Sequence, residues 1–112
     1  MINTLLRAFT IVKRNQIRIA EITPGIIEFK VKQRTGQWTQ VWLELKRGSL
    51  TWNCNAESKG FGCVFNTGSK ERPYCSHTKA AYLWLLNRGI ECKEGITAEK
   101  VRKELFSSQE KE

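Results

Sequence analysis

Three cysteines and one histidine in the middle of the sequence have the types and spacing of a metal site. Cys75 and His77 are separated by one residue and precede an apolar, helix-like run, while Cys54 and Cys63 lie upstream. Zn²⁺ prefers four tetrahedral ligands, and three sulfurs with one nitrogen form a closed structural set without a position for a substrate. The sequence therefore predicts one structural zinc ion bound by Cys54, Cys63, Cys75 and His77.

The remaining cysteine leaves alternatives open. Cys92 falls outside the central spacing and is interpreted as a free thiol, although exchange with Cys54 as a ligand is an alternative. If Cys63 points away from the metal, three protein ligands remain, with an open position or with Cys92 as the fourth. Four cysteines also fit two disulfides in a secreted protein. Metal binding is favoured because the N-terminus lacks the pattern of a secretory signal.

The inventory for catalysis is thin. His77 is the sole histidine and is assigned to the metal, the chain has no aspartate, and no glycine-rich phosphate loop of the GxxxxGK[ST] form occurs. No serine or cysteine has a second histidine with which to form a nucleophile pair. We therefore predict no catalytic residues, no small-molecule substrate and a protein that is not an enzyme.

Length and composition indicate one globular domain. The chain has 112 residues, of which 40% are hydrophobic and 27% are charged. No apolar segment approaches the roughly 18 to 20 residues of a membrane span, so no membrane partner is expected. We predict a single zinc-binding domain over residues 1–106 with a flexible tail at 107–112. The expected location is cytoplasmic, nucleoid or nuclear, and not secreted.

The hydrophobic periodicity predicts an α+β fold. An amphipathic helix is expected over residues 2–15, and residues 17–22 fit either a short strand or a continuation of that helix. Residues 26–54 alternate apolar with polar side chains and contain two turns, which predicts a three-stranded antiparallel meander. A zinc-stapled loop, a helix that ends at Arg88-Gly89, and a short helix from Ala98 to Phe106 with Thr97 as N-cap follow.

Three tryptophans fall within the predicted meander. Trp38, Trp42 and Trp52 are expected on neighbouring strands, where aromatic side chains stabilise a sheet by packing across it. Their role in the core or in sheet packing is favoured over an exposed platform for stacking bases.

Positive charge is concentrated in the first half of the chain. The formal net charge is +8, and residues 1–50 carry nine lysines and arginines against three glutamates. A positive field of this kind suits a polyanion such as nucleic acid, although many basic surfaces serve only solubility.

The order of a β-meander, a cysteine, a loop and a Cys-x-His pair that enters a helix resembles the SWIM-type zinc finger. The matching segments are Trp52-Asn53-Cys54 and Pro73-Tyr74-Cys75-Ser76-His77-Thr78-Lys79-Ala80-Ala81, and the resemblance covers about residues 25–87. In that family a CxC pair on a hairpin and a CxH pair at the helix start hold one zinc. The resemblance thus implies a ββα-like finger. This chain departs from the pattern at Ala56, where the second cysteine is expected, and Cys63 is the substitute.

The resemblance also implies a partner. SWIM domains occur alongside chromatin-remodelling helicases, transposases and recombination factors, and bind DNA or proteins. We therefore expect nucleic acid, DNA rather than RNA, to bind a basic hairpin surface through mostly sequence-independent phosphate contacts. The expected contact residues are Lys30, Lys32, Arg34, Lys46 and Arg47, with a second group of Lys70, Arg72 and Lys79. The alternative is an interaction module that docks on a larger helicase, recombinase or ligase, where its basic charge meets an acidic partner.

Overall fold

A computed structural model of the chain describes residues 4–33, 35–46, 49–55, 73, 75–92 and 95–110. In this part of the chain, a four-stranded antiparallel sheet is combined with three helices, which confirms the predicted α+β class. The elements in chain order are α1 (Thr4–Lys13), β1 (Ile17–Thr23), β2 (Ile26–Lys32), β3 (Trp38–Lys46), β4 (Ser49–Cys54), α2 (Ser76–Leu86) and α3 (Ala98–Glu110).

The strands follow one another in the order β1-β2-β3-β4, so the sheet is a simple meander. The prediction of three strands was wrong by one, because residues 17–22 form a strand and do not continue the first helix. β1 pairs with β2 from Ile17 opposite Val31 to Thr23 opposite Ile26, and Gly25 makes the turn with a φ of 85°. That positive φ favours glycine.

One face of the sheet, called here the inner face, forms the core. Alternate residues of β2 and β3 point inward because successive side chains of a strand lie on opposite faces. They are fully buried together with Trp52 of β4; the β2 and β3 members are Ile27, Phe29, Val31, Val41 and Leu43. The opposite face carries polar side chains and two tryptophans, and is called the outer face.

α2 covers the inner face and contacts all four strands. Its residues Ala80, Ala81, Trp84 and Leu85 are buried, and the Trp84 ring meets Phe29 edge-on at a centroid distance of 5.7 Å. The helix ends where predicted, since Gly89 has a φ of 78° and lies just beyond the last turn. α2 thus fixes the position of its own N-terminus against the sheet.

The other two helices pack at the edges of this core. α1 packs against α2 and buries Ala8 and Ile11, while α3 contacts β1 and buries Val101. The Lys100 backbone N–H donates to the Thr97 hydroxyl at 3.2 Å, which confirms Thr97 as the N-cap of α3. No helix among the described residues has the length and apolar character needed to cross a membrane.

The three predicted sheet tryptophans divide between the two faces. Trp52 lies in the core, where its ring meets Tyr82 at 6.4 Å. Trp38 and Trp42 lie on the outer face of β3, with Trp38 40% exposed. The predicted role in the core therefore applies to Trp52, whereas Trp38 and Trp42 lie on the outer surface of the sheet.

Candidate metal centre

Cys54, Cys75 and His77 come together at one end of the sheet. Their ligand atoms all lie within 4.8 Å of one another, and both Cys75 and His77 are buried. This cluster could bind one metal ion. Three of the four residues that the sequence predicts as zinc ligands are thus neighbours in space, although 20 residues separate Cys54 from Cys75 in the chain.

Cys54 owes its place to the register of the sheet. It ends β4 and is the partner of Val41 on β3, whose side chain belongs to the core. Because partner residues in an antiparallel pair have their side chains on the same face, the Cys54 sulfur is on the inner face, toward α2. The backbone N–H of the next residue, Asn55, donates to the Gln40 carbonyl at 2.9 Å and holds this strand end in place.

Cys75 is the N-cap of α2 and has the extended backbone that such a position requires, with φ −129° and ψ 173°. Its sulfur accepts a hydrogen bond from the Thr78 backbone N–H at 3.4 Å. In return, the Thr78 hydroxyl accepts from the Cys75 backbone N–H at 3.0 Å, which completes a capping box. The capping box thus holds the Cys75 sulfur, the atom through which cysteine binds metals, at the N-terminus of α2.

His77 enters the cluster because it is the second residue of α2. A one-residue gap at the start of a helix places two side chains near the same point before the helical rotation separates them. His77 is 5% exposed, so its ring is held between the helix and the sheet end. The buried position reduces the rotational freedom of a ligand before the metal binds.

The donor set fits Zn²⁺. A tetrahedral zinc site with Zn–S near 2.3 Å and Zn–N near 2.0 Å has ligand atoms roughly 3.5 to 3.8 Å apart. Donor atoms within 4.8 Å reach this geometry with small side-chain rotations. Two soft sulfurs and one imidazole also exclude Mg²⁺ and Ca²⁺ as natural occupants, because these ions prefer oxygen ligands.

Cys92 takes no part in the cluster that the structure describes. Its side chain packs against the hydrophobic core, apart from the group of Cys54, Cys75 and His77. Burial raises the pKa of the Cys92 thiol from an ordinary value of 9.0 to about 12. Because a thiolate is the metal-binding form, a thiol that stays protonated in this way is a poor ligand. The interpretation of Cys92 as a free thiol agrees with this environment.

The predicted nucleic-acid contacts fall into three groups. Lys30 and Lys32 lie on β2 with Lys30 exposed on the outer face, and Lys46 ends β3. Lys79 belongs to α2, which covers the inner face, so it does not share a surface with Lys30. The fourth predicted metal ligand and four of the basic residues lie outside the described residues; these are Cys63, Arg34, Arg47, Lys70 and Arg72.

Sequence reasoning missed two residues of interest. Arg18 lies on β1, and its guanidinium carbon is 4.4 Å from the centre of the Trp38 ring. If the segment is a strand, the alternation of Ile17 and Ile19 predicts that Arg18, which lies between them, faces outward. Thr78 anchors the Cys75 backbone, and its place three residues after the N-cap is the spacing of a capping box.

Comparisons of the chain with protein-family models, with curated proteins and with solved structures gave no match.

Proposed function

We propose that this chain is a variant SWIM-type zinc finger whose zinc ion has a structural role and whose basic surface binds nucleic acid, DNA in preference to RNA. The observation that carries the zinc assignment is the meeting of two thiols and one imidazole within 4.8 Å at the junction of β4 and α2. The capping box around Cys75 supports it, because hydrogen bonds from neighbouring residues orient metal ligands. Cys63 is proposed as the fourth ligand.

A structural zinc at this place would join the sheet to its covering helix. Zinc binding contributes on the order of 10 kcal/mol to small zinc domains, which is comparable to the whole stability of an ordinary domain. The chain has no aspartate and no second histidine, and no recognisable motif assigns a glutamate to the cluster as a general base. A non-enzymatic role is therefore the one we propose.

The test of the zinc assignment is metal content. Protein purified without added metal is analysed by mass spectrometry under non-denaturing conditions and by elemental analysis. One zinc per chain is expected in the natural protein and none in Cys75→Ala. A natural protein that contains no zinc and does not take it up at micromolar concentration would contradict the proposal.

Nucleic-acid binding is supported by charge and by the position of the lysines. The net charge of +8 favours association with phosphates, and Lys30 is exposed on the same sheet face as Arg18. Because phosphate contacts release counterions, the logarithm of the binding constant is expected to fall linearly with the logarithm of salt concentration. A constant that does not change with salt contradicts this model.

Charge reversal provides a matched comparison. The variant Lys30→Glu/Lys32→Glu changes the outer face, and Lys100→Glu/Lys103→Glu makes the same charge change on exposed positions of α3. If β2 contacts phosphates, the first variant loses affinity and its salt slope decreases by about two, whereas the second retains more of both. Equal losses in the two variants mean that net charge alone is responsible.

A second candidate function is a protein-interaction module that docks on a larger enzyme of nucleic-acid metabolism. The observation that favours it is on α1, where Leu5, Leu6 and Phe9 are 47%, 62% and 53% exposed. Large apolar side chains that cluster on a surface often mark a contact with another protein. No retention on heparin or on DNA at low salt would favour this function.

A further inference from the structure

The outer face of the sheet has a basic end. Arg18 of β1 is opposite Lys30 of β2, which is opposite Gln40 of β3, and these three form one row across the sheet. In the next row toward the strand ends, Lys32 is opposite Trp38. We call Arg18, Lys30, Lys32 and Trp38 the basic end of the outer face.

Arg18 and Trp38 form a cation–π pair within this surface. The Arg18 guanidinium lies 4.4 Å from the centre of the Trp38 ring, although β2 separates their two strands. Together with Lys30, Thr39 and Gln40, they line a shallow pocket of about 260 Å³. Pockets for drug-sized ligands measure roughly 300 to 1,000 Å³, so this one has the size for a single planar ring system.

The rest of the outer face has the opposite charge. Glu21 is opposite Glu28, and Glu28 is opposite Trp42, while Glu44 occupies the following row. The indole N–H of Trp42 donates to the Glu44 carboxylate at 3.3 Å. Two tryptophans of one strand and one face thus differ in their neighbours, since Trp38 lies among cations and Trp42 among carboxylates.

We propose that the basic end of the outer face binds single-stranded nucleic acid, with one base stacked on the Trp38–Arg18 pair and the adjoining phosphates held by Lys30 and Lys32. This inference rests on the proposed nucleic-acid function and specifies its substrate class. Trp38 is 40% exposed with the Arg18 guanidinium over its ring, and both the open part of an indole and a guanidinium plane stack with any base. Lys32, which is opposite Trp38, and Lys30, in the neighbouring row, supply the phosphate contacts.

The exposed tryptophan ring and the small pocket favour a single strand over a duplex. Stacking on Trp38 requires a base whose π-face is free, whereas in a duplex the bases are stacked on one another and must be flipped out at a cost. The carboxylates of Glu21, Glu28 and Glu44 repel phosphates and so restrict the nucleic-acid strand to the basic end. The expected site therefore covers a few nucleotides with little sequence preference.

Fluorescence anisotropy with a labelled 20-nucleotide thymidylate strand and a labelled 20-base-pair duplex tests the proposal on the full chain. The natural protein is expected to bind the single strand at least tenfold more tightly than the duplex at equal salt. Trp38→Ala is expected to weaken single-strand binding by about tenfold, the loss typical of one stacked base. Trp38→Phe, which keeps an aromatic face, is expected to stay within about threefold of the natural protein.

Trp42→Ala is the matched control, because it removes the same side chain from the same strand and face. It is expected to change single-strand binding less than about twofold, and circular dichroism establishes that both alanine variants are folded.

Equal or tighter binding of the duplex, with no effect of Trp38→Ala, overturns the inference and leaves the proposed function standing. Absence of binding to both probes overturns the inference together with the proposed nucleic-acid function, and binding only to an acidic peptide such as polyglutamate does the same.

Discussion

The sulfur of Cys75 and the hydroxyl of Thr78 lie 3.4 Å apart, inside a reciprocal set of hydrogen bonds that closes the N-terminus of α2. The Thr78 hydroxyl accepts from the Cys75 backbone N–H at 3.0 Å, and it also lies 3.1 Å from the Cys75 carbonyl oxygen. A candidate metal ligand is thereby fixed by a residue that is not itself a ligand. Both residues are fully buried, so the arrangement is protected from water.

Thr78→Val is expected to lower zinc affinity by about 10- to 100-fold, the usual effect of losing a residue that is hydrogen-bonded to a metal ligand. Valine has nearly the same shape as threonine but cannot accept the hydrogen bond that the Cys75 backbone N–H donates to the Thr78 hydroxyl. Competition with a chromophoric chelator at pH 7 measures the change. Thr78→Ser keeps the hydroxyl and is expected to retain more of the affinity than valine; equal affinities of the valine variant and the natural protein would show that the capping box does not support the metal.

Substitution of each cysteine in turn should separate ligands from bystanders. With Co²⁺ in place of zinc, the thiolate charge-transfer absorption reports how many sulfurs bind the ion. Three thiolates are expected in the natural protein and two in Cys63→Ser, whereas Cys92→Ser is expected to keep all three. A spectrum unchanged by Cys63→Ser would exclude Cys63 as the fourth ligand. Cys54, Cys75 and His77 would then remain as the proposed protein ligands.

Chelation of the metal is expected to loosen the junction of β4 and α2 before the rest of the fold. Cys54 and Cys75 belong to different elements, and the metal is the proposed bond between them. Hydrogen exchange followed by mass spectrometry should show lower protection at residues 53–55 and 75–80 after chelation. The centre of β2, which is paired on both sides, should change less. Equal protection throughout, with and without metal, would contradict the structural role.

The local part of this site was predictable because it depends on neighbours in the sequence. The Cys75 and His77 spacing and the apolar run after them define the start of a helix, and that helix begins at Ser76. The meeting with Cys54 depends instead on strand register, which a sequence pattern specifies less well. A slip of one residue would move Cys54 to the outer face, away from α2.

The strand β1 and the separation of the tryptophans were harder to predict for a related reason. The alternation at Ile17 and Ile19 is interrupted before Ile22, where the register of β1 against β2 shifts. So short a pattern does not exclude a helix, and pairing with β2 decides for the strand. Trp38 and Trp52 are the same residue type and have the same propensity for strands. The pairing of their strands therefore decides which face of the sheet each one occupies.

The contact of Phe29 with Trp84 should be a main support of the fold. Phe29→Ala is expected to lower the free energy of unfolding by about 3 to 5 kcal/mol, since a fully buried aromatic side chain is lost and a cavity remains. Phe9→Ala removes the same side chain from a position that is 53% exposed and should cost about 0.5 kcal/mol or less. Urea titrations at fixed zinc concentration measure both; equal effects would contradict the described core.

The half-buried Cys92 thiol predicts a specific dependence of stability on pH. Its pKa is raised from 9.0 to about 12 in the folded chain, so the unfolded chain loses this proton first as the pH increases. The contribution is therefore fully present below pH 9 and is lost progressively between pH 9 and 12. Cys92→Ala has no such group, and its free energy of unfolding should decrease less steeply than that of the natural protein over this range.

The reactivity of the same thiol provides an independent measurement. Alkylation by iodoacetamide requires the thiolate, so at pH 8.5 Cys92 in the folded protein should react at least about tenfold more slowly than a cysteine in an unstructured peptide. The Cys92 rate should continue to increase above about pH 10, where the thiol of the peptide is almost fully ionised and its rate levels off. Peptide mass spectrometry identifies the modified residue, and zinc-loaded protein keeps the proposed ligand cysteines protected during the reaction. A Cys92 rate that levels off near pH 10, as the rate of the peptide does, would mean that water reaches the thiol and would contradict its partial burial.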